Sequence, residues 1–489
     1  MDMNILLQIT VVSLLVFPVI ALAVFNLLPK KAGLRLLPHT AATVSGLQLL
    51  SGVYLLCNLL FTNNDSINFS LFWMMNIAGG TSYFSIDIYA VVALLAVAVI
   101  SLVVSVMSFS AKSTLGDNLS GLFNVLMLSI ACMNGIALSA NMFSMYLFME
   151  AVTICLFALM SFGADFKAVF KKLVLSVTSS VLILSGMAFI YLNTHTFSFS
   201  GISAVVSNPQ LIDQPLLLTI AYILLLTGIC IKTGLSPFHT WLPHAYDKAP
   251  DKVLPLLNIM IKMTGAFILI RLFGIVFPQA GAAHMTIGVL GLLTILFGSL
   301  IALGQKDIRH IIAYSEISEL GYIALGIACA SPLGVIAALV HLFNHTVSHS
   351  SLLINTLAIE GQTGTRDTSM IAGSASKIPV IRDSLTVTVL SVAGIPPLSG
   401  FWSKLLIIIA VFQAGGIATA AAVSLLSLLT LAYCLRLLRR TSFDFTKAKQ
   451  IRQKEPLGVS FSSAFLSALT VVLGLVFPLF IIYLQSQWF

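Results

Sequence analysis

The sequence predicts an all-α polytopic membrane protein, with about fourteen transmembrane helices, two inverted five-helix repeats and broken helices at spans 7 and 12. Its 489 residues are 58% hydrophobic and only 9% charged, and the mean hydropathy is +1.03. A soluble domain is about a quarter charged. The apolar stretches follow one another with short connections, and lysine and arginine fall almost wholly in alternate connections.

Each span is a run of about twenty apolar residues, the length a helix needs to cross the hydrocarbon core. The runs lie at 5–28, 40–61, 85–108, 120–139, 141–163, 172–193, 215–235, 252–277, 286–304, 309–329, 332–359, 384–413, 415–440 and 457–486. The first follows an acidic residue and is too long for a leader's apolar core, so it is expected to be a span. Connections after odd-numbered spans carry the basic residues, from Lys30 to Lys454, and those after even-numbered spans carry none, nor do the termini. By the positive-inside rule both termini face away from the cytoplasm; a multi-pass protein of the cytoplasmic (inner) membrane of a prokaryote is expected. The formal net charge of +8 is thus an orientation signal, and no nucleic-acid partner is needed to explain it.

Lys232, Lys262, Arg271 and Lys404 escape this segregation. Arg271 lies near the outer end of span 8 and is expected to snorkel to the interface. The three lysines lie at membrane depth, where a charge costs roughly 2.5–3.5 kcal/mol on insertion scales and marks an ion path.

The repeats are read from prolines. Span 7 carries Lys232 and then a breaker at Pro237; span 12 carries the breakers Pro396 and Pro397 and then Lys404. Proline removes a backbone donor and clashes with the preceding turn, so both helices should be interrupted. Spans five apart cross in opposite directions, and the order of lysine and breaker is reversed. That predicts spans 1–3 over 1–118, a first repeat of spans 4–8 over 119–280 and a second of spans 9–13 over 281–440. A basic cytoplasmic loop and span 14 then occupy 441–489. Broken helices in such repeats turn freed backbone groups toward ion-binding cavities.

Glu150 lies near the middle of span 5. A buried carboxylate stays ionised beside an ammonium and takes a proton without one, so a Glu150–Lys232 pair is the expected switch, with a static ion pair as the alternative. Lys262, midway along span 8, is the expected relay. His341, His345 and His349 share one face of span 11 and titrate near neutral pH, which suits a relay toward Lys404. An i, i+4 histidine pair also suits a metal, but no carboxylate or cysteine is expected near the stripe, so none is assigned. Glu316 and Glu319, one turn apart in span 10, suit either a second carboxylate site or the lining of a wetted cytoplasmic cavity. His239 and His244 suit proton entry or ordinary loop positions. Asp87 opens span 3 as a helix N-terminal residue.

The six cysteines are scattered in apolar segments without metal-binding or disulfide spacing. No phosphate loop, dinucleotide glycine motif, iron–sulfur cysteine cluster or nucleophile elbow occurs. The chain is therefore expected to lack a redox or hydrolytic site and a cofactor, and to draw energy from a partner or an ion gradient.

Four ordered blocks carry a family likeness: GLSPFHTWLP at 234–243 with Ala249 and Pro250; DIRHIIAYS at 307–315 with Gly321 and Tyr322; HLFNH at 341–345; and GIPPLSGFWSK at 394–404. They resemble the antiporter-like membrane subunit family shared by respiratory complex I, Mrp-type cation/proton antiporters (D-type subunit) and membrane-bound energy-converting (group 4) hydrogenases. The resemblance implies a coupling pair at Glu150 and Lys232, a central relay at Lys262 and an exit lysine at Lys404. It also implies fourteen helices, and other membrane subunits as partners along a shared hydrophilic axis. Proton translocation is the implied activity, with exchange for sodium left open.

Several positions depart from the family pattern. Relatives usually carry lysine where His349 stands, aspartate where His244 stands, and neutral polar residues where Glu316 and Glu319 stand. A terminal lysine at span 12 and a chain that stops at fourteen spans suit the Mrp D-type or the hydrogenase subunits. A stand-alone secondary transporter and a structural subunit with a decayed pump are the competing readings.

Overall fold

A computed structural model describes residues 3–27, 30–62, 66–69, 84–109, 119–162, 166–371, 373–443 and 456–488. Most of the basic loop expected after span 13, at 444–455, lies outside them, as does Lys112. The chain divides into two compact units. One comprises Met1–Thr233 and Ile259–Ala283; the other comprises Gly234–Asn258 and His284–Phe489.

The first unit contains α1 (Met3–Leu27), α2 (Lys30–Thr62), α3 (Ile88–Phe109), α4 (Leu119–Leu138), α5 (Met142–Ser161), α6 (Phe166–Thr194), the short α7 (Phe199–Val206) and α8 (Pro215–Thr233). Small residues let α3 sit at the centre, where Ala90, Val91, Ala93 and Ala96 have no exposed surface. On α6, Val174, Val177, Val181 and Leu184 recur at helical spacing and are exposed. An apolar outward stripe of that kind is what a membrane solvent favours. An antiparallel ribbon, β1 (Ser66–Phe69) with β2 (Phe84–Asp87), is an addition that the reading of spans alone does not contain.

α9 (Trp241–Lys248) belongs to the second unit, and α10 (Leu254–Lys262) crosses the boundary between the units. Then come α11 (Gly281–Gly304), α12 (Ile308–Ala328), α13 (Pro332–Thr363), α14 (Pro379–Ala393), α15 (Ser399–Leu438) and α16 (Leu457–Trp488). α12 and α13 form its buried centre, and α13 also packs on α14, α15 and α16. After Lys262 the α-helix gives way to π-helical turns at Met263–Phe267 and Ile270–Val276, a widening that recurs at functional sites.

Twelve of the described helices are long and apolar enough to cross a membrane, against fourteen spans read from the sequence. The difference has two sources. α13 is long, but its histidines, asparagines and hydroxyl residues lower its hydropathy. Spans 12 and 13 share the forty-residue α15, which runs through a non-helical Gly416 at φ 77°, ψ −175°.

Both expected breaks are present. α8 ends at Thr233, Gly234 takes φ 79°, and Ser236–Pro237 is cis. α14 ends at Ala393, Gly394 takes φ 78°, and Pro396–Pro397 is cis before α15 begins. A positive φ at the end of a helix is glycine's position, because a side chain there would strain the backbone.

A second local arrangement occurs in both units. Asn141 caps α5, accepting from the amides of Phe143 and Ser144, and forms a β-bridge with Ser198 beyond α6. Asp307 caps α12, accepting from the amides of Arg309 and His310, and forms a β-bridge with Asp367 beyond α13. Counting from the caps, Glu150 and Glu316 each stand nine residues on (141 to 150, 307 to 316).

Candidate ion-translocation site

In the first unit Lys232 lies in the last turn of α8, where the half-helix presents the negative end of its dipole. Its ammonium is 3.0 Å from Glu150 Oε1 and donates to Thr153 Oγ1, also at 3.0 Å. Ser180 Oγ donates to the same Glu150 oxygen at 2.8 Å. The lysine side chain is 4% exposed and that of Glu150 is 27% exposed, so one end of the pair is sealed and the other is open.

Lys262 is fully buried at the point where α10 becomes π-helical. Three residues on, Gly265 lies so close to α8 that an added Cβ would stand 2.5 Å from Thr233 Cα. This contact brings the segment carrying Lys262 against the end of the helix carrying Lys232. Arg271 departs from the expectation of snorkelling: it is buried and bonded to Asp87. Asp87 meets its expected role, accepting from the Ala90 amide at 2.8 Å at the start of α3, and is also this ion-pair partner. A buried guanidinium needs a carboxylate, and the strand that leads into α3 supplies one.

In the second unit Lys404 donates to Glu319 Oε1 at 2.7 Å and to the Val392 carbonyl at 2.8 Å. Its ammonium stands 4.7 Å above the Tyr322 ring. Val392 is in the last turn of α14, whose terminal carbonyls lack helical partners. Lys404 follows its break in sequence but reaches back across it to the C-terminal end of the half-helix before it. The reversed order of lysine and proline therefore puts each lysine with the last turn of the half-helix that precedes its break.

Glu319 Oε2 meets His341 Nε2 at 3.1 Å, and His341 Nδ1 meets Ser403 Oγ at 3.0 Å. Ser403 Oγ also donates to the Gly400 carbonyl at 3.1 Å. Glu316 Oε2 lies 2.8 Å from His349 Nδ1 and 3.8 Å from His345 Nδ1. The three histidines form one stripe on α13, with ring centroids 5.9 Å and 4.8 Å apart in succession.

Reading α13 alone leaves the stripe without a carboxylate. The fold corrects this, because α12 packs along α13 and delivers both Glu316 and Glu319 to it. Both carboxylates are buried. With two imidazoles beside it, Glu316 also completes a group with the donor set of a metal site.

His239 is half-buried, edge-on to Tyr314 with ring centroids 6.4 Å apart, and His244 is exposed on α9. Neither is brought to the buried carboxylates by a described contact. An ion-pair network not anticipated from the sequence lies at the ends of α9, α12 and α13. Arg309 bonds Asp251 and Glu360, and Arg366 bonds Glu360 at 2.7 Å and Asp247 at 2.6 Å. Its signal was the run of charges at helix ends, which loop position alone does not pair.

Residues 139–430, more than half of the chain, match the family described as NADH:quinone oxidoreductase/Mrp antiporter, transmembrane region. The chain is 28% identical over 340 residues to NADH-quinone oxidoreductase subunit N of Desulforudis audaxviator, covering 68% of this chain and 67% of that one. It is 29% identical over 306 residues to the D-type Na(+)/H(+) antiporter protein of Alkalihalophilus pseudofirmus, covering 62% of each. Among solved structures, a chain of the Mrp complex from Dietzia aligns with TM-score 0.82 at 23% identity, covering 96% of this chain and 95% of that one. A chain of an archaeal membrane-bound sulfane sulfur reductase aligns with TM-score 0.83 at 22% identity, covering 97% and 95%. These last two likenesses concern the fold. The helix-break motifs, the lysine-bearing spans and the matched residues together make this chain a member of the NADH:quinone oxidoreductase/Mrp antiporter transmembrane family.

Proposed function

We propose that this chain is the proton-translocating, antiporter-like subunit of a multisubunit membrane complex of the Mrp, complex I or membrane-bound hydrogenase kind. In this reading it crosses the membrane fourteen times, with both termini away from the cytoplasm. Residues 119–280 and 281–440 form its two inverted repeats. The matching caps, β-bridges and glycine–proline breaks of the two units support that division.

The observation that carries the functional reading is the Glu150–Lys232 pair beside an interrupted helix, sealed at the lysine and open at the carboxylate. A buried ammonium that loses its counter-charge is expensive and sheds a proton. Withdrawing Glu150 toward its exposed side therefore releases a proton from Lys232 inward. Lys262 is the next acceptor, the histidine face of α13 the following stage, and Lys404 with Glu319 the terminal one. Glu316 and Glu319 are occupied by imidazoles and an ammonium, which favours protons over a bare sodium ion along this route.

The test is Lys232→Ala in the intact complex, reconstituted in vesicles with a pH-sensitive dye. We expect at least a tenfold loss of proton translocation with the complex still assembled. Translocation at the unmodified rate by that assembled variant sinks the proposal.

A further inference from the structure

Glu316 from α12 and His345 and His349 from α13 converge in the buried centre of the second unit. One ligand atom of each lies within 4.8 Å of the other two, and all three side chains are buried. We propose that these residues form a binding site for a divalent transition-metal ion of the zinc class.

The case begins with His349. Its Nε2 lies 3.2 Å from the Ile312 carbonyl oxygen. A carbonyl only accepts, so this nitrogen carries the hydrogen. That fixes the ring and leaves Nδ1 facing Glu316 Oε2 at 2.8 Å. A histidine held by a backbone carbonyl through one nitrogen, with the other turned to a carboxylate, has the outer-shell support that metal-binding histidines use.

Distances agree with the chemistry. Zinc bonds nitrogen and oxygen at about 2.0–2.2 Å in a tetrahedron, so neighbouring ligand atoms stand roughly 3.3–3.6 Å apart. The two separations from Glu316 Oε2, 2.8 Å and 3.8 Å, bracket that edge. With all three ligand atoms within 4.8 Å of one another, side-chain adjustment would bring them around one ion.

Two imidazoles and one carboxylate suit zinc and its neighbours. Calcium and magnesium prefer all-oxygen shells. The i, i+4 spacing places both imidazoles on one face of α13, and the third ligand comes from the adjacent helix, which leaves one coordination position for water. His341 is outside the set, since Glu319 and Ser403 engage its two nitrogens. A bound ion ties α12 to α13 and interrupts the histidine stripe. The second consequence rests on the proposed translocation function; the binding itself does not.

The experiment uses the purified assembly containing the full chain, stripped with chelator, loaded with zinc chloride and desalted. Bound zinc is counted by mass spectrometry, and its shell is read by X-ray absorption. We expect one retained zinc per chain, with nitrogen and oxygen neighbours at about 2.0–2.2 Å and an imidazole signature. Glu316→Gln and His349→Lys should each weaken retention at least tenfold, whereas His195→Ala, in the other unit, should not. His349→Lys puts a cation in place of the imidazole beside Glu316 and so guards against loss by misfolding. No retained zinc, or full retention in both variants, overturns the site. If zinc binds with the expected signature yet leaves vesicle proton transport unchanged, the metal site stands and the role of the stripe in translocation falls.

Discussion

The two units hold the same kind of ion pair in different surroundings. In the first, Glu150 faces Lys232, the hydroxyls of Thr153 and Ser180 bond to the pair, and the carboxylate is 27% exposed. In the second, Glu319 lies between Lys404 and His341 and is 1% exposed. A further titratable group touches the second pair, and another carboxylate–histidine cluster lies one turn away on the same two helices. The first pair is thus built to open toward its surroundings. The second is built to hold charge in isolation.

This contrast predicts the largest effect at Glu319. Removing one partner from a fully buried pair leaves an uncompensated charge and costs about 3–5 kcal/mol. Glu319→Gln strands both Lys404 and His341, whereas Glu150→Gln leaves Lys232 in a less enclosed site, still bonded to the Thr153 hydroxyl. Denaturant unfolding in detergent should show the larger loss for Glu319→Gln. Equal losses would mean that the difference in exposure carries no energetic weight.

Replacing both members sharpens the point. A buried ion pair exchanged for apolar residues of similar volume is often neutral or stabilising. Glu319→Leu combined with Lys404→Met should keep stability within about 1–2 kcal/mol of the starting protein while abolishing proton transport. Retained transport by the double variant would show that the second pair is a structural staple.

The sequence made the fold class legible because membrane helices must satisfy their own backbone and expose apolar side chains, and both demands are written locally. The breaks were legible for the same reason: Gly234 with Pro237, and Gly394 with Pro396 and Pro397, act on their own helices. Lys232, Lys262 and Lys404 stood out because a cation at depth is rare. The partners of the histidine stripe were not legible, because only the packing of α12 on α13 decides which carboxylate meets which ring. Arg271 illustrates the same limit. Near a span end it reads as a snorkelling residue, and its contact with Asp87 depends on chain that is 184 residues distant.

A smaller effect is expected at a close helix approach in the first unit. Gly265→Ala places a methyl group 2.5 Å from Thr233 Cα. Overpacking of this kind costs typically about 1–3 kcal/mol. The variant must move the segment bearing Lys262 away from α8, so vesicle proton transport should fall several-fold while the Glu150–Lys232 pair stays intact. Unimpaired transport in a stably folded Gly265→Ala chain would separate that close approach from function.

The smallest expected effect tests whether the caps set the position of the carboxylates. Asn141 and Asp307 each hold the first turn of their helix, and Glu150 and Glu316 each follow nine residues later. Losing such a cap to alanine costs about 1 kcal/mol, whereas glycine costs only a few tenths. The backbone bridges to Ser198 and Asp367 use main-chain atoms and should survive either change. Asn141→Ala should therefore lower stability by about that amount, with Asn141→Gly nearly neutral. Asp307→Ala should lose somewhat more, because an ionised cap also meets the positive end of the α12 dipole. If the two alanine variants lose stability equally at high salt and differ at low salt, the difference is electrostatic. A difference that survives salt would trace instead to how tightly each unit packs around its carboxylate helix.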